Sequence, residues 1–290
     1  MSTHFRHFYP DYVSFAKLAG LHHLRSLTIT IPYVSQALLL TLSQLLRLEN
    51  LSLHVNVPML QPLDDSTFTL PTNSFASLRY VALYRPHPLI FERFSQSCSL
   101  FRNLTAAHIY IESSQGDDRV TLRRLPSDAV IQCLTQSSST LTDLTISSYV
   151  ERNCFTLFWS TVDFFSYMPL KRLALGSIQF DPRPIAFAVE ASGMRNNVNQ
   201  IKWKDFLASV PLLEELDLPR QNITVAELHL ICTTLSQLHY LVLSSIQLDE
   251  VLETLRLPTT TLTVDEPITI RAGFSGQFAI DDAYIARLAE

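Results

Sequence analysis

The sequence predicts an α/β fold, a curved solenoid with parallel strands on its concave face and helices and loops on its convex face. Three observations carry that expectation. A six-residue pattern (apolar, two variable, apolar, one variable, apolar) recurs along the chain. Amphipathic stretches near helical spacing separate most of its copies. Leucine accounts for 47 of 290 residues and glycine for only 6, a balance unlike that of dinucleotide folds, phosphate-binding loops or collagen-like repeats, which use glycine freely.

The pattern first reads Leu24–Leu27–Ile29, then Leu48–Leu51–Leu53, Leu78–Val81–Leu83 and Leu104–Ala107–Ile109. It continues as Leu141–Leu144–Ile146, Leu170–Leu173–Leu175, Leu213–Leu216–Leu218 and Leu238–Leu241–Leu243. From the third apolar position these copies are 24, 30, 26, 37, 29, 43 and 25 residues apart, about 31 on average. That is slightly above the roughly 20–29 residues of a regular leucine-rich repeat. A ninth copy, Leu252–Leu255–Leu257, follows after only 14 residues, too few for an intervening helix. Strand side chains alternate, so the last two apolar residues of each copy point to one side of a short strand. One strand–helix unit cannot bury its apolar face alone, whereas stacked copies share a continuous core. A doubly wound sheet also alternates strands and helices, but it has no reason to repeat one template, and no Gly-x-Gly-x-x-Gly occurs.

Taken in order, residues 1–20 form an N-terminal cap, with Phe5, Phe8, Tyr12, Phe15 and Leu18 on a helix that covers the first repeat. Residues 21–265 hold eight to nine irregular repeats. Their strands are expected at 26–30, 50–54, 80–84, 106–110, 143–147, 172–176, 215–219 and 240–244, side by side in chain order. Amphipathic stretches lie at 33–47, 90–100, 127–135, 155–167, 202–210 and 224–235. Ser127 and Asp128 suit a helix start. Thr224 with Glu227 three residues later is a capping-box signature. Trp159 and Trp203 are expected in apolar helices of the core. Proline- and polar-rich stretches at 56–73, 112–124 and 181–199 read as loops and account for the spacings of 30, 37 and 43. Residues 266–290 are an extension or the start of a further repeat. There Gly273-Phe-Ser-Gly276 reads as a turn. Asp281–Asp282 before Ala283, Ile285, Ala286 and Leu288 reads as the start of a helix, which is either the cap of the array or the beginning of a further repeat; the second, favoured reading would make the chain a fragment of a longer array.

Composition narrows the function. Hydrophobic residues at 47% and charged residues at 17% exclude disorder. A net charge of −5 leaves no basic excess for phosphates, so nucleic acid is not expected as a partner. No apolar signal segment occupies the first residues. The leucine-dense stretch 37–48 is broken by Thr41, Ser43, Gln44 and Arg47, so no membrane partner is expected either. The expected compartment is cytoplasmic or nuclear, with Cys98, Cys133, Cys154 and Cys232 as reduced, mostly buried thiols. Catalytic constellations are missing. Asp64–Asp65, Asp117–Asp118 and Asp281–Asp282 are adjacent pairs whose members point apart. His22–His23 has no companion at ligand spacing. The sequence therefore predicts no enzyme, no metal and no cofactor.

The informative residues are the variable ones on each strand, which face away from the core. Tyr80, Tyr84, His108, Tyr110, Asp143 and Arg172 occupy the middle of the array, with Glu215, Asp217 and Tyr240 further along. Tyrosine and arginine are over-represented at binding hot spots because they are large, amphipathic and stiff for their area; tyrosine also favours strands for its own sake. These nine residues are the candidate partner-binding surface. The expected partner is a protein, held on the concave face by a chain that is monomeric by itself.

The segments VPLLEELDLPRQNI at 210–223 and MPLKRLALGSI at 168–178, each preceded by a helix-like stretch, resemble the irregular leucine-rich-repeat arrays of fungal F-box-type proteins. The resemblance covers about residues 21–257. It implies substrate recognition in a ubiquitin ligase. Residues 1–20 do not match the F-box that would precede such repeats, so only the recognition half is implied. A stand-alone scaffold or inhibitor that binds one protein is the alternative within the same architecture, and an enzyme with an unrecognised site is a further one.

Overall fold

The computed structural model describes residues 2–4, 18, 20–31, 34–55, 71, 74–84, 86, 91, 99–111, 127–148, 156–159, 165, 168–175, 177–180, 203–247 and 268–275. The chain divides into two compact units. The first comprises Met1–Phe155 with Tyr167–Leu170, and the second Thr156–Ser166 with Lys171–Glu290. Both are α/β, and every described strand pairing is parallel.

In the first unit β1 (Ser2–His4), β2 (Ser26–Ile31), β3 (Asn50–Val55), β4 (Tyr80–Tyr84), β5 (Ala106–Ile111) and β6 (Asp143–Ser148) lie side by side in chain order. The register superimposes the six-residue pattern on itself. Leu27, Leu51, Val81, Ala107 and Leu144 form one line across the strands, and Ile29, Leu53, Leu83, Ile109 and Ile146 the next. All are buried, as are the leading leucines Leu24, Leu48, Leu78, Leu104 and Leu141. Burying a leucine-sized side chain contributes about 1.5–3 kcal/mol, so the repeated pattern carries most of the cohesion between neighbouring strands.

A main-chain joint accompanies these lines. The carbonyl just before each of β2 to β5 accepts two successive amides of the next copy. Arg25 accepts from Glu49 and Asn50 at 2.8 and 2.9 Å, and Glu49 from Arg79 and Tyr80 at 2.8 and 3.0 Å. Arg79 accepts from Thr105 and Ala106, and Thr105 from Thr142 and Asp143. Amides that would otherwise be stranded at a strand entrance are thereby satisfied.

Two helices back this sheet. α1 (Gln36–Ser43) starts at Ser35, whose hydroxyl accepts from the Leu38 amide at 3.1 Å, and buries Leu38, Leu39 and Leu42. α2 (Ser127–Thr135) buries Val130, Cys133 and Leu134, and the Cys133 thiol donates to the Phe91 carbonyl at 3.4 Å. Beyond it Ser137, itself buried, donates to the Phe101 carbonyl and accepts from the Leu104 amide at 2.8 Å.

The second unit repeats the scheme. β8 (Arg172–Leu175), β10 (Glu215–Thr224), β11 (Tyr240–Gln247) and β12 (Thr269–Ser275) are adjacent in that order. Leu173, Leu216, Leu241 and Ile270 share one line. Lys171 accepts from Glu214 and Glu215, and Glu214 from His239 and Tyr240, reproducing the joint. α3 (Val225–Thr234) carries the expected capping box: the Thr224 hydroxyl accepts from the Glu227 amide at 3.2 Å, and the Glu227 carboxylate accepts from the Thr224 amide at 2.8 Å. Residues 203–209 are helical, with Trp203, Phe206 and Leu207 buried. Burial pushes the Cys232 thiol up to about 11.

Three sequence expectations need correction. Residues 156–159 are not helical. They form β7 (Thr156–Trp159), paired with β9 (Ser177–Phe180) in a separate two-stranded sheet, so Trp159 lies on a strand. A short apolar run cannot be assigned by periodicity alone, and Thr-Leu-Phe-Trp is rich in strand formers. Gly273, Phe274 and Ser275 are the end of β12 and not a turn. By register this copy reads Pro267-x-x-Ile270-x-Ala272, with no leucine at any of the three pattern positions, so the six-residue pattern does not mark it. At the other end β1 adds a strand that nothing in the sequence pattern announced. The helix through Phe5 to Phe15, the loops at 112–124 and 181–199, most of the loop at 56–73, the ninth copy at 252–257 and the segment after 275 lie outside the described residues. Among those described, no helix is long and apolar enough to cross a membrane.

Candidate surface on the variable strand positions

The variable positions of β2 to β6 stand in three rows. The first row is Ser26, Asn50, Tyr80, Ala106 and Asp143; the second is Thr28, Ser52, Ala82, His108 and Thr145. The third is Thr30, His54, Tyr84, Tyr110 and Ser147. Parallel pairing at regular register therefore brings together residues some 30 apart in the chain.

The third row is an aromatic stack. His54 and Tyr84 lie 3.9 Å apart between ring centroids at 9° between planes, and Tyr84 and Tyr110 lie 4.5 Å apart at 10°. Cross-strand aromatic pairs contribute about 0.2–1 kcal/mol each and hold one another in place. Across the first two rows runs a hydrogen-bonded chain. The Tyr80 hydroxyl is 3.3 Å from His108 Nδ1, and His108 Nε2 is 3.3 Å from Asp143 Oδ1. A carboxylate only accepts, so Nε2 donates to Asp143, and Nδ1 shares a hydrogen bond with the Tyr80 hydroxyl. His108 also meets the Tyr80 ring edge-on at 5.1 Å and the Tyr110 ring at 6.2 Å. Its side chain and that of Asp143 keep only 19% and 20% of their exposure. Burial, then Tyr84 and Asp143, raise the Tyr80 phenol above its usual value, so it stays protonated. Ala82 lies on this variable face and yet is 0% exposed, because the larger side chains close over it.

The second unit carries a charged counterpart. Arg172, Glu215, Tyr240 and Thr269 share a row, and Ala174, Asp217, Val242 and Arg271 the next. Arg172 Nε meets Glu215 Oε2 at 2.8 Å, and Lys171 meets Glu214 at 2.7 Å. The Lys171 hydrogen bond lowers the Glu214 carboxyl. Arg271 stands over the Tyr240 ring, 5.6 Å from its centroid. Burial raises the Asp217 carboxyl, against the opposing pull of Arg172.

All nine residues expected on the variable face are found on it. Tyr80, Tyr84, His108, Tyr110 and Asp143 are joined into one network, while Arg172, Glu215, Asp217 and Tyr240 belong to the second unit. His54 and Arg271 were missed as members. Alternation places His54 on the same outer face as Tyr84, but its stacking on Tyr84 follows only from the register between the two copies. Arg271 sits on the strand whose pattern had gone unrecognised. Among the described residues no group of three or more His, Cys, Asp or Glu side chains is arranged to hold a metal ion. No family model matches the chain, and no curated protein matches it in sequence.

Proposed function

We propose that the chain is a leucine-rich-repeat solenoid acting as a non-catalytic protein-binding module, in the manner of the substrate-recognition arrays of F-box-type ubiquitin ligases. The observation that carries this reading is the network of Tyr80, Tyr84, Tyr110, His54, His108 and Asp143 on the variable face. Stacking and hydrogen bonds hold these large amphipathic side chains in place before a partner arrives. Association then costs less side-chain entropy, about 0.5–1.5 kcal/mol less per residue already ordered. Such residues are the ones that concentrate binding energy. The reading includes no cofactor and no chemical step, a monomer as the binding form, and a cytoplasmic or nuclear setting.

The test starts with affinity purification of the chain and identification of what is retained. A cullin adaptor in the retained set would favour the ligase setting over a free-standing scaffold or inhibitor. The purified partner is then titrated against the wild type and the double variant Tyr84→Ala/Tyr110→Ala. We expect at least a tenfold loss of affinity, equivalent to about 1.4 kcal/mol, with a far smaller effect on thermal stability. Equal affinity in a folded double variant would remove this surface from the proposal.

A further inference from the structure

We infer that the edge of the first unit where its strands begin is the seat of a short acidic segment of the protein partner. The inference rests on the reading of the chain as a protein-binding module and adds the charge of what this edge holds. Four consecutive copies each place one exposed arginine there: Arg25, Arg47, Arg79 and Arg102, in the turns that lead into β2, β3, β4 and β5. The main-chain joint sets Arg25, Glu49, Arg79 and Thr105 side by side. Among the described residues of these turns Glu49 is the one carboxylate, and it meets Arg25 at 3.7 Å. Arg47 Nη1 lies 3.3 Å from His23 Nδ1, an imidazole and not an acid. Arg79 Nη1 donates to the Asn103 carbonyl at 3.1 Å, in the turn that carries Arg102.

This excess is local. Residues 1–155 carry 12 Lys and Arg against 11 Asp and Glu, and residues 156–290 carry 10 against 16, so the acidic balance of the chain lies in the second unit. At the corresponding edge of that unit Lys171 and Glu214 neutralise each other at 2.7 Å, so strand entrances do not call for a basic excess. Guanidinium groups gathered on one edge repel one another, and an anion laid along them relieves the repulsion. Their planar forks match carboxylates through paired hydrogen bonds. Neighbouring strands lie about 4.8 Å apart, so the four arginines span about 14 Å, which an extended chain covers in about four to five residues. At physiological salt the screening length is about 8 Å, so the four charges act together only on a ligand lying directly against them. That favours a short run of Asp and Glu over nucleic acid, whose long backbone would run past this edge along a chain of net charge −5.

The experiment titrates the full chain with acetyl-Gly-Glu-Glu-Glu-Glu-Gly-amide, its glutamine counterpart and a short oligothymidylate, following the arginine Nε–H resonances by NMR. We expect the glutamate peptide to move the Arg47 and Arg102 signals at concentrations at least tenfold lower than the glutamine peptide does, and added salt to weaken it. Arg47→Gln/Arg102→Gln should weaken the glutamate peptide at least fivefold with the melting temperature unchanged. Glu49→Gln should tighten it at least twofold, since the one opposing charge is removed. A response no stronger than that to glutamine, a Glu49→Gln variant that binds no tighter, or an oligothymidylate that binds more tightly than the glutamate peptide would overturn the inference. Should Tyr84→Ala/Tyr110→Ala still lose its partner in that case, the protein-binding reading would stand and the arginine edge alone would leave it.

Discussion

Ser137 shows how much one small side chain can carry. Its hydroxyl donates to the Phe101 carbonyl and accepts from the Leu104 amide, tying the turn after α2 to the start of the preceding copy. Ser137→Ala strands both buried groups at once. We expect a loss of about 1–3 kcal/mol, read from the denaturant midpoint; a shift of a few tenths would mean that water fills the gap. Asp217 makes the opposite case. Its carboxyl is raised in the fold, so the neutral form is the one that folding favours. Its contribution to stability is fully present below the unfolded value of about 4 and is lost as pH rises through the folded one. The gain from Asp217→Asn should therefore be present at pH 7 and fade towards pH 3, as thermal melts across that range would show. Little of this was legible in the sequence. Alternation alone places Tyr84 and Tyr110 on the outer face. That His108 bridges Tyr80 and Asp143 depends on register between residues 28 and 35 apart in the chain, which local pattern does not report.

At the level of single elements, legibility follows signal strength. α2 was expected at 127–135 and spans Ser127–Thr135. α3 was marked by its capping box, and both halves of the box are formed. Thr224→Ala should cost about 0.5–2 kcal/mol, measured by chemical denaturation, while Thr224→Ser should restore most of it because the acceptor oxygen returns. If alanine and serine behave alike, the hydroxyl is not what starts the helix. β7 and β12 are the elements that pattern reasoning lost. In β7 an apolar run fits either period, and in β12 alanine stands where leucine was sought. The second failure comes from searching for a residue type where the fold requires only an apolar surface of the right size; the first comes from a run that carries no period of its own.

Over the whole molecule the repeated pattern was the dominant signal. It placed the parallel strands of each unit in chain order, although it did not anticipate the division into two units. Leu144 lies on the shared apolar line of the first unit and is 0% exposed. Leu144→Ala should cost about 2–5 kcal/mol. In the proposed solenoid each copy depends on its neighbours, so amide exchange should quicken in β5 and β4 as well as in β6. Faster exchange confined to β6 would show that the copies are not energetically coupled.

The doubly accepting carbonyls at Arg25, Glu49, Arg79 and Thr105, and again at Lys171 and Glu214, hold one copy to the next through the main chain alone. The joint asks nothing of the side chains that flank it: two arginines, a glutamate, a threonine, a lysine and a second glutamate serve equally. Nor does it constrain how far apart in sequence its two halves are, as the spacings from 24 to 43 residues attest. Copies can therefore diverge on their outer face, or gain and lose intervening segments, while the seam between them stays intact. Evolution by duplication needs such a seam: what is inherited unchanged is the fastening, and everything attached to it is free to specialise.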